Sequence, residues 1–486
     1  MKHTRLALAA FLFAPLFAGA EEVNLPRPDP AVAEFARGVK FTVNGYTGTE
    51  VLTNFPVLVR LSTAIDGFKY SDFYADGSDL SLMDIGFVDA ETNGIPYEID
   101  TWNPSGESLV WVNLPRMTNG TEFAMWYRSS KTGKALNSGN VWADYTGVWH
   151  LNESGTGGTP VKDSSTNALD GAARGVAASV ASGRIGGSWR IYNDYGRADA
   201  SITIELSGDP VKNAKVDNLG DTFCASFWMQ RKDKDVKWCV TGLNRRADGS
   251  TAGWGTQIHD NITQLRVYGN GGKNVCAKTS ATSGFNTANQ WDKIDVIWYK
   301  DNTTGKVLVY RNGANKMGGG NLDPATPVNQ PSGQPLVMGN FTSSSSDRAW
   351  SGELDEVRLI KGIPSAARVQ ADYDTVVSNA FLTAGSVVEV AVIERPVANL
   401  QVVDTGASHV QFGNAISSLG SSTATECAFN VKVWKTAESE PAGYTALATG
   451  LTVGALTGRV KGLTPETAYS YKIKVTNDEG VDSDEV

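Results

Sequence analysis

The sequence predicts an all-β chain in which a β-sandwich, a jelly roll and a further sandwich follow in series. Three observations carry this. The chain has 486 residues, more than one hydrophobic core usually serves, so two to four domains are expected. Its 51 Gly and 13 Trp, with only 20% charged residues, suit tight turns between short strands. Short runs rich in Val, Ile, Phe, Trp and Tyr recur, and each is bounded by Gly, Asn or Asp.

The first twenty residues read as a secretory signal. Lys2 and Arg5 form a basic start, Leu6 to Ala18 is an apolar run too short to span a bilayer, and Ala18-Gly19-Ala20 supplies small residues for cleavage before Glu21. No other stretch approaches the length of a membrane helix, so an exported protein at the periplasm, the cell surface or the medium is expected. Cleavage removes Lys2 and Arg5 and no acid, which takes the formal charge from −9 to −11. With no Lys/Arg cluster, nucleic acid is excluded as a partner. Residues 21–35 are Pro- and Ala-rich and read as a linker.

Export permits disulfides. Cys224, Cys239 and Cys276 fall in one segment, so one bridge among them is expected, with the pair left open; Cys427 reads as a buried thiol. Neither C-x-x-C nor a Cys/His cluster occurs, which argues against structural zinc.

Residues 36–135 contain the strand-like runs Phe41-Thr-Val43, Phe55–Leu61, Leu80–Met83, Ile85–Val88, Ile95–Ile99, Ser108–Leu114 and Glu122–Tyr127. Asp66-Gly67, Asp76-Gly77, Asn93-Gly94, Ser105-Gly106 and Asn119-Gly120 punctuate them, as a sandwich requires. The runs Asn54-Phe-Pro-Val-Leu-Val-Arg-Leu61, Tyr97-Glu-Ile-Asp-Thr-Trp102, Val110-Trp-Val-Asn-Leu-Pro115 and Met125-Trp-Tyr127 resemble a bacterial extracellular domain family of unknown function, sometimes joined to ExbB/TolQ-like proton-channel proteins. The resemblance implies no activity.

Residues 142–390 form the second block. Lys306–Arg311 alternates Val307 and Val309 against Leu308 and Tyr310, and Asn312-Gly313 is a hairpin signal. Phe223–Trp228, Trp291–Trp298 and Gly352-Glu-Leu-Asp-Glu-Val-Arg-Leu359, with Pro364-Ser-Ala-Ala-Arg368 and Tyr373 as a capped helix, resemble a laminin-G-like jelly roll of the concanavalin A-like lectin/glucanase class. Residues 397–486 resemble a fibronectin type III domain through Gly462-Leu-Thr-Pro-Glu-Thr-Ala-Tyr469. There Tyr469 is the expected tyrosine-corner residue, and Tyr471, Ile473 and Val475 alternate to one face. The last strand is expected to begin at the final residues, as though the natural chain continued.

Glycosidases of the glucanase branch carry Glu-x-Asp-x-x-Glu on one strand, because two carboxylates must flank the scissile bond. Glu353 and Asp355 fit that pattern, but the third position is Arg358, which cannot act as a general acid. The strand is therefore expected to be structural. Simple alternation puts Glu353, Asp355, Val357 and Leu359 on the core face and makes Arg358 and Glu356 an exposed pair. Asp355 then needs backbone N–H groups, an Arg or a cation. His150, within Gly147-Val-Trp-His-Leu151, reads as a core or edge histidine and not a base.

For ligands, Asp163 and Asp170 offer hard oxygens in a turn-rich loop and Asp355 completes a candidate calcium set; the competing reading is a turn cluster that only builds the loop. Trp189, Tyr192, Tyr195 and Trp254 have polar and Gly-rich neighbours and are the candidate sugar platforms, while Trp149, Trp228 and Trp298 read as core. The expected function is a non-catalytic binding or adhesion protein that recognises a glycan or a surface protein through the jelly roll. Two alternatives stand beside it: a carbohydrate-active enzyme or its accessory part, and a structural envelope component of an ExbB/TolQ-type complex.

Overall fold

The computed structural model describes Leu25 and residues 35–486, apart from 74–83, 130–138, 192–199, 220–221, 233–237, 247–252, 260–261, 269–273, 279–288, 302–303, 314, 323–332, 341–349, 391–395, 421–423, 479, 481 and 484. The expected signal segment, the run Leu80–Met83, Tyr192 and Tyr195 lie outside the described residues. The described residues are nearly all β, with two short α-helices among them, Pro210–Asp217 and Ala366–Val377. Among the described residues no helix is long and apolar enough to cross a membrane.

The first sandwich faces two sheets. Phe35–Val43, Glu122–Ser129 and Ile85–Asp89 pair in that order, opposite Leu52–Leu61, Ser108–Met117 and Tyr97–Thr101. Strand alternation sends Val39, Phe41, Val57, Val59, Val110 and Phe123 into the shared core. After the helix Ala366–Val377 the chain comes back to this sheet, for Leu382–Ala384 and Val388–Glu389 both pair with Phe35–Val43. The expected jelly-roll span of 142–390 thus ends in strands that complete the first sandwich, closing an edge that would otherwise present unpaired backbone.

The jelly roll stacks two eight-stranded sheets. Gly352–Lys361 lies inside one of them. It pairs along one side with Thr222–Arg231 and on the other with Ser188–Ile191 and Tyr145–Trp149 end to end. The hairpin between Thr304–Arg311 and Asn315–Leu322 turns through Asn312 and Gly313, whose φ values of +54° and +78° are ones that Asn and Gly tolerate. Val307 and Val309 enter the core as alternation predicts. The opposite face of that strand is covered too, because Tyr310 packs with Val369 of the helix.

That helix starts where Ser365 accepts from the Arg368 N–H at 3.1 Å, a side-chain cap. It joins the two domains. Thr375 Oγ1 accepts from the Leu58 N–H at 2.9 Å, Arg60 donates to the Val376 carbonyl at 2.7 Å, and Arg368 donates to the carbonyls of Thr53 and Asn54. Strand Leu52–Leu61 therefore buries both faces, one in its own sandwich and one under the jelly roll's helix.

The third unit has two three-stranded sheets, Val397–Gly406, His409–Ser418 and Gly454–Lys461 against Thr445–Leu451, Cys427–Lys435 and Tyr469–Asn477. Its core holds Phe412, Phe429, Ile473 and Val475. Tyr471, expected on the same face, is 39% exposed and leans on Phe412 with ring centroids 5.0 Å apart. The Tyr469 hydroxyl accepts from the Thr464 N–H at 3.0 Å, the hydrogen bond of a tyrosine corner. Ser483 and Val486 bond to Val475 and Ile473, extending the sheet beyond Tyr469–Asn477.

Candidate functional site

The strand Gly352–Lys361 departs from simple alternation at one residue. Glu356 has φ +48°, and the pairing with Thr222–Arg231 slips there, so that two residues oppose one. This is a β-bulge. Leu354, Val357 and Leu359 face the jelly-roll core, whereas Asp355 and Arg358 point to the other face, toward the first sandwich. The expectation that Asp355 shares the core face with Val357 and Leu359 is thereby corrected, because the extra residue resets the period-two pattern.

The expectation of an exposed Arg358–Glu356 pair is also overturned. Both residues are buried, because the first sandwich covers this face. Arg358 donates to Glu356 Oε2 at 2.7 Å and to Asp372 Oδ1 at 2.8 Å, and its guanidinium lies 4.6 and 4.7 Å from the ring centroids of Trp111 and Trp142. Lys293 then bridges Asp372 and Asp295 at 2.8 and 2.6 Å. Burial would raise the Asp372 carboxyl, but Lys293 and Arg358 hold it down at about 2.

On the other side of Glu356 stands His150, whose Nδ1 lies 2.6 Å from Glu356 Oε1. Strand Tyr97–Thr101 of the first sandwich brings two more acids on one face: Glu98, with Oε2 3.6 Å from His150 Nε2, and Asp100, with Oδ2 3.4 Å from His150 Nδ1. Burial alone would lower the imidazole pKa, yet Glu356 and Glu98 carry it well above the ordinary histidine value. Burial pushes the Asp100 carboxyl up to about 6 against the pull of His150. Asp355 is raised well above the ordinary carboxylate value, by burial and then by the charge of Glu356, although its Oδ2 accepts from the N–H groups of Arg184 and Ile185 at 2.6 and 2.8 Å. Burial also opposes ionisation of Glu356, but His150 and Arg358 outweigh it and hold that carboxyl low.

A cleft of about 810 Å³ opens beside this cluster, between the first sandwich and the jelly roll. Trp102, Asn103 and Asp100 line it from one side, and Asn152, Ser179 and Gly183 from the other. Trp102 is half-buried, its edge set against Tyr70 and Phe73.

The residues singled out in sequence fall elsewhere. Trp189 and Trp254 are fully buried among the jelly-roll core residues, so neither ring is a surface platform. Asp163 and Asp170 share one turn, while Asp355 bonds elsewhere, to the N–H groups of Arg184 and Ile185. The Asp163 carboxylate is filled by the N–H groups of Val148, Ser165 and Leu169 and the Ser165 hydroxyl, all within 2.9 Å, which is the arrangement of a turn cluster. Asp170 accepts from the Asp163 N–H and from Lys162. Cys224 is a free, buried thiol and so is Cys427. Cys239 and Cys276 sit on strands Trp238–Arg246 and Asn274–Lys278, separated in the sheet by two others. The side chains of Cys239 and Cys276 lie outside the described residues, so of the three candidates only Cys224 is placed, as a free thiol.

Glu98, Asp100 and Glu356 escaped sequence reasoning, and His150 was read only as a core residue. The available signal was the period-two placement of Glu98 and Asp100 opposite Tyr97 and Ile99. Nothing local says that this outer face is covered by a second domain.

Comparison with known proteins supports the architecture. The family described as the concanavalin A-like lectin/glucanases superfamily, a laminin G family, matches residues 206–370, and this part of the chain is a concanavalin A-like domain. No curated protein sequence matches the chain. Among solved structures, it is similar to the binding domain of Paraclostridial Mosquitocidal Protein 1, at 13% identity over 69% of this chain and 76% of that one, with a TM-score of 0.37. The binding domain of Botulinum Neurotoxin DC, in complex with SialylT, matches at 11% identity over 68% and 85%, with a TM-score of 0.35. Domain 4 of AbnA, a GH43 extracellular arabinanase from Geobacillus stearothermophilus, matches at 17% identity over 41% and 81%, with a TM-score of 0.29. Likeness at this level leaves the ligand to be argued from the residues themselves.

Proposed function

We propose that the chain is an exported, non-catalytic binding protein that takes a glycan, or the glycan of a surface macromolecule, in the cleft between the first sandwich and the jelly roll. The observation that carries this reading is the cleft itself: a half-buried indole, Trp102, stands at its wall beside the amides of Asn103 and Asn152. A sugar presents one apolar face and a rim of hydroxyls, and an aromatic ring flanked by amide donors and acceptors matches both. The ligand site thus moves from the loops of the jelly roll to its junction with the first sandwich.

A non-catalytic role is supported by the fate of the broken motif. Glu353 is clamped by Arg190 through Nε at 3.0 Å and Nη2 at 2.5 Å, Asp355 is turned to backbone N–H groups, and Arg358 is spent on two carboxylates. None of the three carries a free pair of oxygens toward the cleft as hydrolysis needs.

The test is a glycan array and a polysaccharide pull-down with the full chain, alongside Trp102→Ala. Saturable binding that weakens at least tenfold in the variant, a loss of about 1.4 kcal/mol, supports the reading. Release of reducing sugar would sink it in favour of an enzyme, and no binding to any glycan would favour a structural envelope role.

A further inference from the structure

Asp100, His150 and Glu356 place three metal-capable atoms within 4.8 Å of one another, and two domains contribute them. Acids alone would not make this a site. What marks it is how the oxygens are used. Asp100 is fully buried as a side chain; its Oδ1 accepts from the Thr101 hydroxyl at 2.8 Å, while Oδ2, the oxygen nearest the imidazole, has no hydrogen-bond partner. Glu356 follows the same pattern, with Oε2 held by Arg358 and Oε1 turned to His150. Asp355, also fully buried, has one oxygen on the Arg184 and Ile185 N–H groups and the other, Oδ1, unpartnered. Two inward oxygens, Asp100 Oδ2 and Asp355 Oδ1, thus have no hydrogen-bond partner, and the third, Glu356 Oε1, has only His150 Nδ1. Four carboxylates, Glu98, Asp100, Asp355 and Glu356, face one imidazole and one guanidinium, and a buried excess of acid is costly unless a proton or a cation balances it.

We infer that Asp100, His150 and Glu356 form a binding site for a divalent transition-metal ion of the zinc class, which pins the first sandwich to the jelly roll. Around an ion with bonds of 2.0–2.1 Å, neighbouring ligand atoms stand roughly 3.3 Å apart. The Asp100 Oδ2 to His150 Nδ1 separation of 3.4 Å already matches this, and Glu356 Oε1, at 2.6 Å from the same nitrogen, has to withdraw by roughly 0.7 Å as the ion takes the place of the shared proton. Glu98 behind His150 Nε2 and Arg358 behind Glu356 supply the outer contacts that orient metal ligands. An imidazole nitrogen with two carboxylates favours zinc or a similar ion over calcium, which prefers oxygen throughout. Asp100 is among the residues that line the neighbouring cleft, so the site lies just beneath its wall. At Gly186, with φ +59°, an added Cβ would fall 2.8 Å from Asp100 Oδ1, so a glycine lets the loop close over the ligand.

This inference is independent of whether the cleft holds a glycan. The full chain is stripped with EDTA and dialysed, and Zn²⁺ and Ca²⁺ are titrated calorimetrically against wild type, Asp100→Asn, His150→Gln and, as a surface control, His409→Ala. The account expects one saturable Zn²⁺ per chain, affinity at least tenfold weaker in Asp100→Asn, no change in His409→Ala, and a thermal midpoint that rises with Zn²⁺ concentration. Should His150→Gln fail to fold, Asp100→Asn and the visible absorption of the Co²⁺-loaded wild type stand in its place. Absence of saturable Zn²⁺ binding, equal affinity in Asp100→Asn, or Ca²⁺ bound in preference would each overturn it.

Discussion

Ion pairs hold both the junction of the first two domains and the surface of the third unit, and the same chemistry has opposite consequences in the two places. At the junction, Lys293, Asp295, Asp372, Arg358, Glu356 and His150 form a chain in which each charge is buried and touches the next. In the third unit, Lys432 and Lys472 reach Glu440 at 3.0 and 3.2 Å, and Lys472 also reaches Glu485, with Lys472 and both acids on the surface. Water screens the second set, so its members are interchangeable with solvent. At the junction every charge depends on a specific partner, and removing one strands the next. The lesson is that the junction is specified by pairing and the third unit by its apolar core.

The largest expected effect follows from this contrast. Arg358→Ala leaves Glu356 and Asp372 buried without their cation and costs about 3–5 kcal/mol, the range for breaking a buried pair. Urea unfolding followed by tryptophan fluorescence reads it, because Trp111 and Trp142 lie against the guanidinium. An unfolding curve identical to wild type would mean that the network adds nothing to the junction.

A smaller effect appears with acid. Asp372 sits at about 2 in the folded chain against an ordinary 3.8, so its folded pKa is depressed. The stabilisation is complete above about pH 4 and is lost as pH falls toward 2, and its size is about 2 kcal/mol. Stability measured from pH 5 to 2 in wild type and Asp372→Asn isolates it: the slope in this window is shallower in the variant. The smallest effect belongs to the third unit, where Glu440→Ala leaves the unfolding midpoint unchanged at moderate salt.

Much of the fold was legible because it is encoded locally. Asn312-Gly313 names its turn, Ser365 its helix start, Tyr469 its corner, and alternation in Val307–Tyr310 its core face. What failed was non-local. The bulge at Glu356 carries no glycine to announce it, and one extra residue redirects Asp355. The return of Leu382–Ala384 to the first sheet depends on an edge more than 300 residues earlier in the chain. Trp189 and Trp254 looked exposed by their polar neighbours, yet each alternates with those neighbours across a strand and turns inward. The metal-capable cluster needs two domains to exist, so neither domain's residues reveal it alone.

The central claim is that the charged face of the closing strand is a strut between two domains. Differential scanning calorimetry of the full chain, wild type against Arg358→Ala, tests it most directly. The account predicts that in wild type the first sandwich and the jelly roll unfold in one shared transition, and that the variant splits or lowers that transition while the third unit's transition stays in place. A variant whose shared transition keeps both its shape and its midpoint would contradict it.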